Sequence, residues 1–432
     1  MTVPDLRDLT TRLCEFDTTD GTEAPAAAWL RDVLDAAGFE TYTWEADPER
    51  LAEHPSFPDD PAAIDAADRP SVAGVLELGD PDAGPTLVLN GHLDVVPADE
   101  ELWSSDPFEP VWGEADDGAE TLTCRGAVDM KAAVAACVHA ALDVREAVEQ
   151  GAVDLDGRIV VEAVAGEEEG GIGAAAAALD SPYPFERDAA VVAEPTELRA
   201  VTATEGTVMK RLRLSGRSAH AATRWTGVDT LPLFEQIREA FTELETERCE
   251  RVTHPLYGEF EVPWPIVCGR VEAGSWASTV PGTLAAEWRL GVAPGETVDE
   301  VEAEFEERLA EVVAADEWLR EHPPAFERFS IMFEPAEIAA GEPVVRALQG
   351  AMSGEELADT KPTGATYGAD NRHYVAADVP TVVFGPGSIE QAHFPDETVR
   401  WSEVVTAREV LAATARAFLG DESASDPDAA AQ

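Results

Sequence analysis

Lysine is nearly missing from this chain. Only Lys131, Lys210 and Lys361 stand among its 30 basic residues, against 86 acidic ones, leaving a net charge of −56. So negative a surface repels nucleic acid and anionic membrane, which excludes both as partners. Acid spread over every segment, with arginine favoured over lysine, suits an enzyme kept hydrated in molar salt, and a halophilic protein is expected. Long apolar runs are missing too: none could cross a membrane, and the acidic start MTVPDLRDL lacks the basic and apolar regions of a signal peptide. The five cysteines (Cys14, Cys124, Cys137, Cys249, Cys268) form no CxxC and no regular framework. An odd number in a chain of this size argues for reduced thiols in a cytoplasmic protein. No internal repeat is visible.

What is there is enough apolar residue, 45% of 432, for more than one core. Single cores stop growing at about 250 to 300 residues, so two domains are expected. Helical spacing over 3–17 and 24–38 is followed by a strand at 39–44 and, from Ala46 to Arg69, by a Pro/Asp/Ala-rich stretch that reads as a surface loop. Strands and helices then alternate to Ala193, the signature of an α/β domain with a mostly parallel sheet and helices on both faces. At Gly206 the pattern changes to strand-helix-strand-strand-helix-strand, an α+β insertion in which Thr297 and Glu300 form a capping box ahead of a helix running to about Arg320. The α/β pattern resumes near Phe333. The expected division is therefore 1–205 and 332–420 for one split domain and 206–331 for the insertion, with 421–432 a disordered acidic tail.

Candidate ligands gather at strand ends. His92 and Asp94 lie two apart where an apolar strand finishes, and so share one side of it. Asp129 precedes an Ala/Val-rich helix, where a carboxylate is comfortable at the start. The strand 158–165 runs into Gly166-Glu167-Glu168-Glu169-Gly170-Gly171, three adjacent carboxylates that repel one another unless a cation is bound. The next apolar strand ends at Glu194, and the last leads to His393. Imidazole and carboxylate oxygen suit zinc or a neighbouring divalent metal. Two ions about 3.5 to 4 Å apart, sharing one carboxylate, clamp a hydrolytic transition state, with one glutamate left over as a base.

The motifs GHLDVVP, RGAVDMK, GEEEGG, AEPT and GADNRHY…FGPG…AHFPDE together resemble the di-zinc aminoacylase and carboxypeptidase superfamily. They are most similar to its acetylornithine deacetylase / succinyl-diaminopimelate desuccinylase branch, over residues 3 to 420. The resemblance implies a metal-dependent amidohydrolase that removes the acyl group from an N-acyl amino acid in amino-acid biosynthesis. The alternative is a dipeptidase or carboxypeptidase of the same superfamily. It implies two divalent ions, Zn2+ with Co2+ or Mn2+ possible, bridged by Asp129. His92 and Glu194 would complete one site, Glu168 and His393 the other. Asp94 would orient His92, and Glu167 would be the general base that moves a proton from the attacking water to the leaving amine. The insertion would be a lid and dimerisation domain of a homodimer, with His220 of the GRSAHA motif supporting the oxyanion across the dimer. Arg289 and Arg372 would bind substrate, the latter gripping a carboxylate; a structural salt bridge is the competing role for each. Ser278, Glu287 and Gly166 depart from the common pattern at positions that bear on the oxyanion contact and substrate fit. His54, His139, His254, His322 and His373 fall outside the motifs and receive no function. A metal-loaded binding protein on the same fold would be signalled by loss of Glu167 or a ligand, and all are present.

Overall fold

The computed structural model describes residues 3–421, so the acidic tail expected over 421–432 lies, but for Asp421, outside the described residues. The main sheet is mixed and has nine strands, ordered Glu40–Trp44, Ser71–Leu78, Gly157–Val164, Thr86–His92, Ala189–Val192, Thr381–Val383, Val201–Thr204 and Ala336–Glu337, with Thr363–Ala365 also paired to Val201–Thr204. Its centre is parallel: Thr86–His92 pairs in parallel with both neighbours, and Thr381–Val383 with Ala189–Val192. The strands 40–44 and 71–78 at one side are antiparallel.

Both faces are covered, which is why the central strands read as continuous apolar runs rather than alternating ones. Leu87 and Leu89 enter a large core with the helices Lys131–Glu149 and Trp401–Leu419, whereas Val88 points into a second core with Ala174 and Tyr374 from the opposite side. The α/β class expected from the alternation is therefore present, with antiparallel strands added at the margins.

The stretch 46–69 is not the featureless surface loop that its lack of periodicity predicts. It holds a short helix, Pro48–Leu51, and a 3-10 turn, Pro61–Ala63. Leu51, Phe57, Ile64 and Ala66 are buried against Ile172 and Ala175 of the helix Ile172–Leu179. Single anchors at irregular spacing hold it down, and they leave no period to detect. Also absent from the sequence reading is a small sheet of Val111–Glu114, Glu120–Thr123 and Thr398–Arg400, which ties the segment before Asp129 to the one after His393.

The inserted segment forms a four-stranded antiparallel sheet, ordered Ile266–Ala273, Thr283–Val292, Gly206–Ser215 and Ala325–Phe333. The helices Thr230–Arg251 and Val298–Ala315 pack on it around Phe241, Trp288 and Phe305, a core separate from those of the main sheet. The capping box forms as expected: Thr297 Oγ1 accepts from Glu300 N–H (3.2 Å), and Glu300 Oε2 from Thr297 N–H (2.9 Å). The helix stops at Ala315 rather than Arg320, because Asp316 turns extended and caps a new short helix, Glu317–Glu321, by accepting from Leu319 N–H. Two of the three lysines are inside: Lys131 is buried with its ammonium donating to Phe16 O, and Lys210 is buried against Glu302 and Glu306. Only Lys361 is exposed.

Candidate metal centre

Four strand-end segments of the main sheet converge on one acidic hollow. His92 closes its strand and is buried, with Nε2 2.8 Å from Asp129 Oδ1 and 3.8 Å from Glu194 Oε1. His393 approaches from the far side, its Nε2 3.0 Å from Glu168 Oε1 and 3.5 Å from Asp129 Oδ2. Asp129 thus turns one oxygen toward each histidine. Ligand atoms of His92, Glu167 and Glu194 lie within 4.8 Å of one another, and so do those of Asp129, Glu168 and His393. All six residues that the sequence marks as metal ligands or base are brought together.

The loop 166–171 is shaped by its glycines. Gly171 sits at φ +75°, and a Cβ there would lie 2.3 Å from Asp370 Oδ1 and 2.5 Å from His373 Nε2, so no side chain fits. Asp94 holds this loop rather than His92: its carboxylate accepts from the N–H groups of Gly166 and Glu168, both at 2.9 Å. His92 Nδ1 instead bonds the carbonyl oxygen of Asp94 at 2.9 Å, with the carboxylate 3.7 Å away. The residue is the expected one, but it orients the imidazole through its backbone. Asp129 likewise does not cap the helix after it. Met130 occupies that position, the Asp129–Met130 peptide is cis, and the Asp129 carboxylate faces the hollow.

Electrostatics fit a cation. Burial, then the charges of Glu194 and Asp370, push the Glu167 carboxyl well above the usual range. Burial and Asp129 do the same to Glu194, and burial raises Glu168. Burial opposes protonation of His92, but its hydrogen bond to Asp129 and the surrounding carboxylates outweigh it and raise its pKa. The hydrogen bond to Glu168 raises His393. Without a positive ion the cluster can balance its charge only by holding protons. Glu194 Oε1 is buried with no hydrogen-bond partner, an acceptor facing His92 from beyond hydrogen-bond distance. Two imidazoles and four carboxylates, gathered as two neighbouring groups, are a donor set for divalent ions.

The three further candidates are not among the clustered ligand groups. Arg289 is committed to the buried Glu205, at 2.7 Å, and to the carbonyls of Pro265 and Thr366. Arg372 is buried, donates to Gly170 O (2.6 Å) and lies 3.9 Å over the Phe333 ring. Both therefore hold structural contacts of the kind that competes with substrate binding. His220 is exposed on the inserted unit, where its Nδ1 accepts from Ala222 N–H.

Sequence reasoning missed two buried carboxylates. Glu397 accepts from the N–H groups of Gly126, Val128 and Asp129 and from Arg125, and so fixes the turn that presents Asp129. Asp370 is buried with neither oxygen hydrogen-bonded, and burial pushes its carboxyl up to about 7. Their only sequence signal was membership of the FPDE and ADNR motifs.

Known proteins resemble the chain along most of its length. A model described as peptidase family M20/M25/M40 matches residues 88–417. Acetylornithine deacetylase of Proteus mirabilis is 28% identical over 329 residues, 75% of this chain and 77% of that protein. N-formyl-4-amino-5-aminomethyl-2-methylpyrimidine deformylase of Bacillus subtilis is 26% identical over 414 residues, 89% and 87% of the two chains. A di-peptidase structure from Saccharomyces cerevisiae superposes with a TM-score of 0.72 at 13% identity, covering 97% of this chain and 96% of that one. That last likeness is one of fold.

Proposed function

The chain belongs to peptidase family M20/M25/M40 and is a hydrolase of that family, and from this premise we propose that it is a metal-dependent amidohydrolase that deacylates an N-acyl amino acid. The observation that carries the reading is Asp129, whose two oxygens face the two histidines, with Glu194 beside one and Glu168 beside the other. His92, Glu194 and Asp129 would hold one divalent ion, and Asp129, Glu168 and His393 a second, with zinc the ion expected. When bound, two such ions would polarise the amide carbonyl and lower the pKa of the attacking water. Glu167, buried beside His92 and Glu194, accepts the water's proton on a carboxylate oxygen and delivers it to the leaving amine nitrogen. Asp94 and Glu397 hold the two loops that carry Glu168 and Asp129.

In this reading 1–205 with 332–420 is the catalytic part and 206–331 the lid. The edge strand Ile266–Ala273 exposes Val267 and Val271, and Trp225 and Trp276 of the same unit are 77% and 73% exposed. These features support a homodimer through the lid, in which a second copy would offer its His220 to the oxyanion. A halophilic protein is supported by a surface on which one lysine is exposed. Among the described residues no helix is long and apolar enough to cross a membrane.

The test is amine release by the purified, zinc- or cobalt-loaded protein in molar KCl, on N-acetylornithine, N-succinyl-diaminopimelate and simple dipeptides. Selective cleavage of an acyl amino acid is expected. Glu167→Gln should abolish turnover, at least about 100-fold for a lost general base, while both ions stay bound; retained activity would remove Glu167 from its role. Cleavage of dipeptides alone would make the enzyme a peptidase.

A further inference from the structure

One wall of the proposed centre, Glu168 and Glu169 of GEEEGG, is shared with a cavity whose other lining residues fall outside the family motifs. It has a volume of about 300 Å³ and lies between the stretch 46–69, the start of the helix Ile172–Leu179 and the bulged strand Ala325–Phe333. Phe57, Ile64, Ile172 and Ile331 make it apolar, and Glu168 closes the side toward the metal ligands. Its size is that of a small ligand pocket, about 300 to 1,000 Å³. Gly170, at φ +104°, lets its walls come together: a Cβ there would stand 3.1 Å from Ile331 and 3.3 Å from Phe57.

The enclosing stretch is pinned at its middle and at its end. Ser56 O accepts from Met332 N–H at 3.0 Å, and Ser56 Oγ donates to Glu334 at 2.5 Å. At its end Arg69 joins Glu169 of the metal loop to the buried Glu23. A surface excursion would need none of these ties. They fix an apolar chamber beside the ligand Glu168, where one arm of a substrate bound at the metals would reach. Charge sets which arm fits. Of the charged residues that line the chamber, Glu168 faces the proposed metals and Glu169 is paired with Arg69, which leaves Asp65 as the uncompensated charge, and no lysine, arginine or histidine lines it among the described residues.

We infer that this cavity is the specificity subsite of the enzyme, taking an aliphatic chain of the substrate that ends neutral or positive and turning away one that ends in a carboxylate. The inference rests on the amidohydrolase reading above and narrows it, favouring N-acetylornithine over N-succinyl-diaminopimelate. The chain can come from either half of the amide, and two substrate series separate the sources. One varies the acyl group on alanine through acetyl, hexanoyl and succinyl; the other varies the amino acid under N-acetyl through alanine, norleucine, ornithine and glutamate.

In one series kcat/KM should rise at least about 10-fold from the short to the long neutral chain, a fraction of the roughly fourfold per methylene that full burial gives. The anionic member should fall below the short one. Ala63→Trp, placed on the exposed 3-10 turn at the cavity, should abolish the long-chain advantage and leave the short substrate within about twofold of the parent. Its melting temperature reports whether the fold is kept, and Ile331→Ser provides a second variant that should act in the same direction. Equal rates for neutral and anionic chains, or a preference that both variants leave intact, overturn the inference while the amidohydrolase reading stands. If no amide is cleaved, that reading falls, and calorimetry decides the cavity alone. Zinc-loaded protein should bind hexanohydroxamate at least about 10-fold more tightly than acetohydroxamate, an advantage Ala63→Trp removes; equal binding overturns the inference.

Discussion

Replacing Glu397 with glutamine tests how the chain holds its bridging carboxylate. Oε1 accepts from the N–H groups of Val128 (2.7 Å) and Asp129 (3.1 Å), and Oε2 from Gly126 N–H (3.1 Å) and Arg125 Nη1 (2.7 Å). Glutamine keeps the shape, but one terminal atom becomes an NH2. Whichever way the amide turns, two donors then face a donor. Hydrogen bonds to a charged group contribute about 1.5 to 3 kcal/mol each, so about 3 to 6 kcal/mol is divided between native stability and the placing of Asp129. If about 1.4 to 2.8 kcal/mol falls on Asp129, metal affinity drops about 10- to 100-fold, the range typical of groups that support a ligand. A competing chelator measures that affinity, and turnover at limiting and saturating zinc separates it from chemistry. Activity should be low at limiting zinc and recover at saturation. An affinity within twofold of the parent would refute the reasoning.

Arg69→Met should destabilise the protein by about 3 to 5 kcal/mol in denaturant melts, because it leaves the fully buried Glu23 without its cation. His373 is buried and neutral, its pKa lowered well below the usual value by burial and then by Arg372, so only the unfolded chain takes up its proton as pH falls below about 6.5. Its contribution is therefore present above that pH and is lost progressively on acidification. His373→Gln, which can still donate to Gly170 O, should flatten the stability profile between pH 7 and 5 in denaturant melts, and an unchanged slope would count against a buried neutral imidazole. With a net charge of −56, thermal stability should rise from 0.1 M to 1 M KCl as the Debye length shortens from about 10 Å to about 3 Å. An unchanged melting temperature would count against adaptation to salt.

The site was legible because its residues have no other good reason to be where they are. Carboxylates and histidines at the ends of apolar strands conflict with core and surface needs alike, and that conflict shows in one dimension. What escaped was whatever acts through the backbone or through distant partners. Glu397 matters because three N–H groups point at it, 268 to 271 residues away in sequence. Asp94 was read as a side-chain partner of His92, yet its carboxylate serves a loop more than 70 residues on. The contacts that Arg289 and Arg372 make, with Glu205 and Gly170 O, lie in other segments and leave no mark near either arginine in the sequence. The stretch 46–69 gave no period because Leu51, Phe57 and Ile64 anchor it one at a time.

The placing of the lysines has a practical side. With Lys131 and Lys210 sealed inside, the described residues offer an amine-reactive reagent a single lysine, Lys361. It is one defined point for a dye, a surface linker or a cross-linker. Most soluble proteins must be mutated many times over to gain such an address, and here the acidic surface supplies it.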